Sequence, residues 1–362
     1  MIGSPSRAAY AVCGFALALL ALGCGSDGAG SRDCTEAGAD CTLREAADQA
    51  GVLIGTAIRD GFEGDPEYVA ALTNDFNSLT AENAMKWAAI QPERGRFDFG
   101  LADAMVELAE ANGMAVRGHT LLWDQEAVDS TPAYVSAITD PDELRALMAD
   151  HIRTVVGRYR GRIDSWDVVN EPLQTTGAQL YDNVFHRLLG PGYIAEALAL
   201  AHEADPDAVL FVNEPLVESA GAKFDALLAL TSELRAQGAP VHGVGLQGHF
   251  FAAAEPDELR ANIEALASLG VVVELTEVDV LLRSVGDDAA RLEHQRQEYY
   301  DIASACFAVP ACRRITLWGF TDRFTWIDSF IGPGFAPLVL DESYARKPAY
   351  FGLRDALLGA IR

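Results

Sequence analysis

From Leu43 onward, apolar residues come in two alternating rhythms: short β-prone runs, and longer stretches with apolar side chains three and four apart. Runs at 52–57, 76–80, 114–119, 163–170, 209–213, 241–249, 271–277 and 315–319 read as strands. Helices are predicted at 66–75, 101–112, 142–159, 193–204, 222–237, 256–269, 289–307 and 345–358. Pro66 opens the first of these and Gly113 closes the second; Leu144, Leu147, Met148, Ile152 and Val155 give the third its core stripe. Such alternation demands a parallel sheet with helical crossovers. Eight units over about 310 residues fit a single (β/α)8 TIM barrel. An open doubly wound sheet would place a glycine-rich phosphate turn after its first strand; Gly55-Thr56-Ala57-Ile58 stands there instead.

The first 42 residues follow neither rhythm. Arg7 followed by the apolar run 8–22 reads as an export signal, too short to span a bilayer comfortably. It closes on Ala21-Leu22-Gly23-Cys24, which resembles a bacterial lipoprotein signal, cut before a cysteine that is then lipidated; a plain secretory signal cut near Gly23 is the alternative. Residues 24–42 are expected to be a flexible tether and 43–362 the folded domain. Export to a bacterial cell envelope, lipid-anchored or otherwise secreted, agrees with the cysteines. Cys34 with Cys41 and Cys306 with Cys312 form two short-range pairs, each a plausible disulfide in an oxidising compartment.

Half of the chain is hydrophobic and 22% is charged, which indicates a folded globular protein. The net charge of −26 disfavours nucleic acid and anionic membrane surfaces as partners, so any membrane contact is left to the lipid. A neutral polysaccharide is indifferent to that charge.

Two apolar runs end in acids. Ser165-Trp166-Asp167-Val168-Val169-Asn170-Glu171-Pro172 stops at a proline, which cannot donate to a sheet ladder. Val271-Val272-Val273-Glu274-Leu275-Thr276-Glu277-Val278-Asp279 is the second. In a barrel, the C-terminal strand ends form the catalytic mouth. Glu171 and Glu277 facing one cleft suffice for glycoside hydrolysis, one protonated to release the leaving oxygen and the other ionised to attack. Taken singly, His119 would be a satisfied core histidine, Trp318 and Trp326 core packing, and Lys86 a solvated charge. Yet these fall at the same predicted pole as Glu82, Asn83, Trp123, Asn170, Asn213, Glu214, Gln247, His249 and Asp279. Flat aromatics with amides, carboxylates and imidazoles are what a carbohydrate site needs. No HExxH or close histidine pair is present, so neither a metal nor a cofactor is expected.

Several blocks resemble one family. Phe76-Asn77-Ser78-Leu79-Thr80-Ala81-Glu82-Asn83-Ala84-Met85-Lys86-Trp87, Arg117-Gly118-His119-Thr120-Leu121-Leu122-Trp123, Trp166-Asp167-Val168-Val169-Asn170-Glu171, Thr276-Glu277-Val278-Asp279, Leu317-Trp318-Gly319-Phe320-Thr321-Asp322 and Lys347-Pro348-Ala349-Tyr350 look like the motifs of family 10 glycoside hydrolases, mostly endo-1,4-β-xylanases. The resemblance implies a retaining double displacement on xylan or xylooligosaccharides, with Glu277 as nucleophile and Glu171 as acid and later base. It further implies that Asn170 bonds the sugar 2-hydroxyl, and that His249, held by Asp279, aims Glu277. Glu82, Asn83 and Lys86 would bind the next sugar on the non-reducing side, while His119, Trp123, Gln247, Trp318 and Trp326 complete the walls. Cys306 with Cys312 resembles the family's short disulfide before the last strand. A monomer is expected.

Two departures stand out. Asp124 replaces the usual histidine after Trp123, and Pro215-Leu216 replaces a tyrosine and asparagine after the fifth strand. A third carboxylate at Asp124 is expected to raise the pKa of the catalytic pair; the second reading is that it points away, paired with a donor such as Gln125 or a backbone amide. The alternatives are a related β-glycan hydrolase or, in another class, a surface glycan-binding protein without turnover. Binding alone has no need of a nucleophile and its aiming partners.

Overall fold

Eight parallel strands close into a ring: β1 (Leu53–Ile58), β2 (Ser78–Ala81), β3 (Ala115–Gly118), β4 (Ser165–Asn170), β5 (Val209–Glu214), β6 (Gly243–Leu246), β7 (Val272–Val280) and β8 (Cys312–Leu317). Each pairs in parallel with its neighbours; β1 pairs β8, and β6 pairs β7. The computed structural model describes residues 33–36, 40–125, 130–282 and 286–361. The expected signal segment and Cys24 lie outside the described residues. Helices α1 (Leu43–Ala50), α2 (Pro66–Asp75), α3 (Gly100–Ala111), α4 (Pro141–Arg158), α5 (Tyr193–Ala204), α6 (Ala222–Ala236), α7 (Pro256–Ala267), α8 (Asp288–Phe307) and α9 (Pro348–Gly359) belong to the same unit. The chain is thus the (β/α)8 barrel that its alternation predicts. All six residues of β4 are buried, because helices cover the outside of a parallel sheet and side chains fill its inside.

Helix starts follow from capping. Asp140 accepts from the amides of Asp142 and Glu143 ahead of Pro141, satisfying N–H groups that the first turn of α4 leaves without partners. The unpredicted α1 begins with a capping box between Thr42 and Glu45. It docks on α9 by a bond from the Leu43 amide to the Tyr350 hydroxyl, 3.1 Å. Both cysteine pairs form disulfides, Cys34–Cys41 and Cys306–Cys312.

Several boundaries differ from the sequence expectation, and three of them bear on the mouth or on the last strand. β7 runs on to Val280, since Val278 and Val280 keep the strand apolar, so Glu277 and Asp279 sit within the strand and not beyond it. The run 241–249 divides at Gln247-Gly248, where Gly248 takes φ 77°, and resumes as His249–Phe250 paired to Asp279–Val280. β8 begins at Cys312, three residues early.

The barrel interior is partly ionic. Arg117 on β3 forms two hydrogen bonds with Asp167 on β4 and one of 3.3 Å with Glu274 on β7. Arg314 on β8 bonds Ser165 at 2.8 Å and also pairs with Asp164. Gly118 lets β3 and β4 meet: a Cβ there would lie 2.2 Å from the Trp166 ring.

Candidate active site

Strand β4 delivers its last residue, Asn170, to the mouth, and the chain turns sharply at Glu171. Glu171 adopts φ 53°, a left-handed conformation that costs a non-glycine residue free energy and is concentrated at functional sites. Its amide is held by the Asn213 carbonyl at 2.8 Å. Its carboxylate accepts from Gln247 Nε2 at 3.0 Å on one oxygen and from Gln125 Nε2 at 2.6 Å on the other. Burial pushes its pKa up; the Gln247 bond opposes this and the charge of Glu277 adds to it, leaving it above the ordinary carboxylate range.

Glu277 is displaced the other way. Burial raises it, but a hydrogen bond from His249 and nearby positive charge, Arg117 included, outweigh burial and hold it below its ordinary value. Its oxygens take Asn213 Nδ2 at 2.7 Å and His249 Nε2 at 3.3 Å. The other histidine nitrogen, Nδ1, bonds Asp279 at 3.0 Å, and Asp279 also accepts from Trp326 Nε1 at 2.8 Å. Burial alone would depress His249; Asp279, by its charge and its hydrogen bond, instead pushes it up to about 10. At neutral pH the ring is therefore an imidazolium, donating from both nitrogens.

Asn213 binds the two halves of the site together. Its Nδ2 reaches both Asn170 Oδ1 (2.8 Å) and Glu277, while its own Oδ1 accepts from Thr276 at 2.6 Å. Across the mouth, Lys86 bonds Asn83 at 2.8 Å and lies 5.0 Å from the centre of the Trp123 ring. Burial lowers its pKa against the pull of Glu277 and Glu82, and burial raises that of Glu82 against Lys86. Asp167 holds His119 Nδ1 at 2.9 Å, which leaves Nε2 buried with no protein partner. The His119 ring stands edge-on to Trp318 and Trp123, with centroids 5.1 and 5.9 Å away; Trp318 and Trp326 lie 6.4 and 4.9 Å from His249. All the residues picked out at the predicted pole therefore gather around one pair of glutamates. Among the described residues, no three His, Cys, Asp or Glu side chains are grouped to hold a metal ion.

For Asp124 the structure agrees with the second reading: its side chain is paired away from Glu171 and Glu277. Its carboxylate accepts from Ser136 Oγ and from the Val184 amide, both at 2.9 Å, and so anchors the first turn of the short helix Val184–Leu189. The neighbouring Gln125 is the residue that reaches the acid. Glu214, picked out with Asn213 at its strand end but given no role there, is buried, meets Lys223 at 2.8 Å and takes the Leu173 amide at 3.0 Å. Burial pushes Glu214 up to about 8 despite Lys223.

The pattern of glycosyl hydrolase family 10 matches residues 42–356. An endo-1,4-beta-xylanase of Agaricus bisporus is 37% identical over 319 residues, covering 87% of this chain and 94% of that protein. Endo-1,4-beta-xylanase B of Thermotoga neapolitana is 36% identical over 347 residues, covering 94% and 96%. Among solved structures, native xylanase 10B from Thermotoga maritima superposes with TM-score 0.84 at 36% identity, covering 88% of this chain and 99% of that one. Xylanase 10B from Thermotoga petrophila RKU-1, in complex with xylobiose, gives 0.85 at 35%, covering 90% and 100%.

Proposed function

The chain belongs to glycosyl hydrolase family 10, and from that membership together with the site we infer that it is an endo-acting, retaining 1,4-β-xylanase. One observation carries the assignment of roles: two glutamates in one cleft are displaced in opposite directions, Glu171 toward the acid and Glu277 toward the carboxylate. Glu277 attacks the anomeric carbon while Glu171 protonates the departing glycosidic oxygen. Water, deprotonated by Glu171, then releases the sugar from Glu277. Asn170 bonds the 2-hydroxyl, aligned by Asn213. His249, kept cationic by Asp279, holds Glu277 ionised. Glu82, Asn83 and Lys86 receive the sugar on the non-reducing side, with His119, Trp123, Gln247, Trp318 and Trp326 as walls.

Two disulfides fit a protein exported to an oxidising compartment. The sequence around Cys24 supports attachment to a bacterial envelope through lipid at that cysteine.

The test is Glu171→Ala and Glu277→Ala assayed on purified xylan, with folding checked by circular dichroism. Each variant is expected to lose on the order of a thousandfold or more. Glu171→Ala should form the glycosyl-enzyme normally from aryl glycosides, whose leaving groups need no proton. Full xylan activity in either folded variant refutes the roles.

A further inference from the structure

The turn that carries Glu171 is held from strand β5. Glu171 sits at φ 53°, a conformation that persists in a non-glycine residue only where the surroundings hold it. Its amide is bonded by the Asn213 carbonyl at 2.8 Å. Pro172 has no N–H, so the next amide in the chain is that of Leu173. That amide donates to Oε2 of Glu214 at 3.0 Å. Two consecutive residues at the end of β5 pin the two amides that flank Pro172. Glu214 reaches the acid by a second route as well. Its backbone carbonyl accepts the Gln247 amide at 3.1 Å, and Gln247 Nε2 bonds the Glu171 carboxylate at 3.0 Å.

The Glu214 side chain is fully buried, so it touches no substrate. Its other oxygen, Oε1, lies 2.8 Å from Nζ of Lys223, which also donates to the Pro215 carbonyl at 2.7 Å. Lys223 is the second residue of α6, and its side chain is only 10% exposed. Folding alone does not account for this pair. A buried ion pair adds little stability over apolar side chains of the same size, since both charges must leave water. A cation in the first turn of a helix also opposes the helix dipole. What the pair does achieve is to fix a carboxylate with one oxygen aimed at the turn of Glu171.

We propose that Glu214 is a positioning residue for the general acid and base: it holds the Glu171 turn through Leu173 and Gln247, and Lys223 keeps its carboxylate in place. The inference rests on the acid and base role given to Glu171 above. A shift of about an ångström in a reacting group costs on the order of a hundredfold in rate. The loss must then fall on the steps in which Glu171 moves a proton. Those are the departure of a poor leaving group and the attack of water. Expulsion of a good leaving group and attack by azide need no proton transfer, so they report on Glu277 and the rest of the site.

The experiment compares the full-length parent with two double variants. Glu214→Leu with Lys223→Met removes the acceptor without stranding a buried charge. Glu214→Gln with Lys223→Met keeps an amide oxygen that can accept from Leu173. On xylotetraose, kcat/KM of the first double variant should fall about a hundredfold. On 2,4-dinitrophenyl β-xylobioside its kcat/KM should change by less than about threefold, because that leaving group needs no proton. Its kcat there, limited by the attack of water, should fall and be restored by sodium azide. The second double variant should recover most of the activity on xylotetraose. Equal losses on both substrates, full activity on xylotetraose, or no recovery in the second double variant overturns the proposal. If the first double variant does not fold by circular dichroism, Lys223→Met alone carries the comparison. It should lose about tenfold on xylotetraose only, as for one lost hydrogen bond to a charged group, and Lys223→Arg should recover it. Equal losses on the two substrates, or no recovery in Lys223→Arg, overturns the proposal in that case. Glu171→Ala is assayed alongside. If it lacks the same dependence on leaving group, the acid role of Glu171 itself fails, so the two failures are distinguishable.

Discussion

Replacing Asp279 by asparagine tests how the nucleophile is kept ionised. The exchange keeps an oxygen that can accept from Trp326 Nε1 and removes only the charge beside His249 Nδ1. Lifting that imidazole from 6.5 to about 10 corresponds to roughly 5 kcal/mol in favour of imidazolium. Without Asp279 the ring loses the largest opponent of burial and its pKa falls. Glu277 then loses a charge-assisted donor, a bond worth about 1.5–3 kcal/mol. The pKa of Glu277 rises accordingly, and the acid limb of kcat/KM, which follows its ionisation, moves to higher pH by about one unit or more. At the optimum, kcat should fall on the order of a hundredfold, as when one preorganised donor is removed. The assay is kcat/KM on xylooligosaccharide from pH 4 to 9, with melting temperature followed alongside. The raised His249 pKa stabilises the fold in full below pH 6.5, and that contribution is lost as pH rises through about 10. The gap in melting temperature between parent and variant should therefore narrow toward pH 10. An acid limb that coincides with the parent's refutes the argument.

Gln125→Ala removes an N–H donor 2.6 Å from Glu171 that favours its carboxylate form. The acid should then stay protonated to higher pH, moving the alkaline limb of kcat/KM up by about one unit, and an unmoved limb counts against Gln125 as a positioning residue. Gly118→Ala should destabilise the barrel by about 3 kcal/mol, because the new methyl would lie 2.2 Å from the Trp166 ring across two hydrogen-bonded strands. An unchanged urea midpoint would disprove that close approach. Cys24→Ser should move the protein from the membrane fraction of a bacterial host to the soluble one; a parent already soluble in the medium would favour plain secretion.

The barrel was legible in sequence because its strands are short β-prone runs, largely apolar, that end in recognisable punctuation. Pro172 stops β4 beside Glu171, and the helices between strands carry unbroken stripes such as Leu144 to Val155. Helix α1 escaped because eight residues with only Leu43, Ala46 and Ala47 buried give a weak period; its clearest mark was the Thr42 and Glu45 spacing at its start. The site residues came from motif resemblance, which says what gathers but not where each side chain points. Asp124 follows Trp123 in sequence, yet its carboxylate is taken up by the Val184 amide, sixty residues away. Asn213 shows the same limit from the other side. Its register opposite Asn170 lets one amide serve both Asn170 and Glu277, and no local pattern encodes that register.

The Cys34–Cys41 bond has a consequence for how the chain withstands cleavage near the start of the folded unit. It closes a loop immediately ahead of the Thr42 cap, and the helix beyond that cap is docked on α9 through Tyr350. The cross-link limits the conformations open to the residues just ahead of that cap, upstream of the first barrel strand. A cut upstream of Asp33 leaves that loop whole, and a nick between the two cysteines leaves both fragments joined by sulfur.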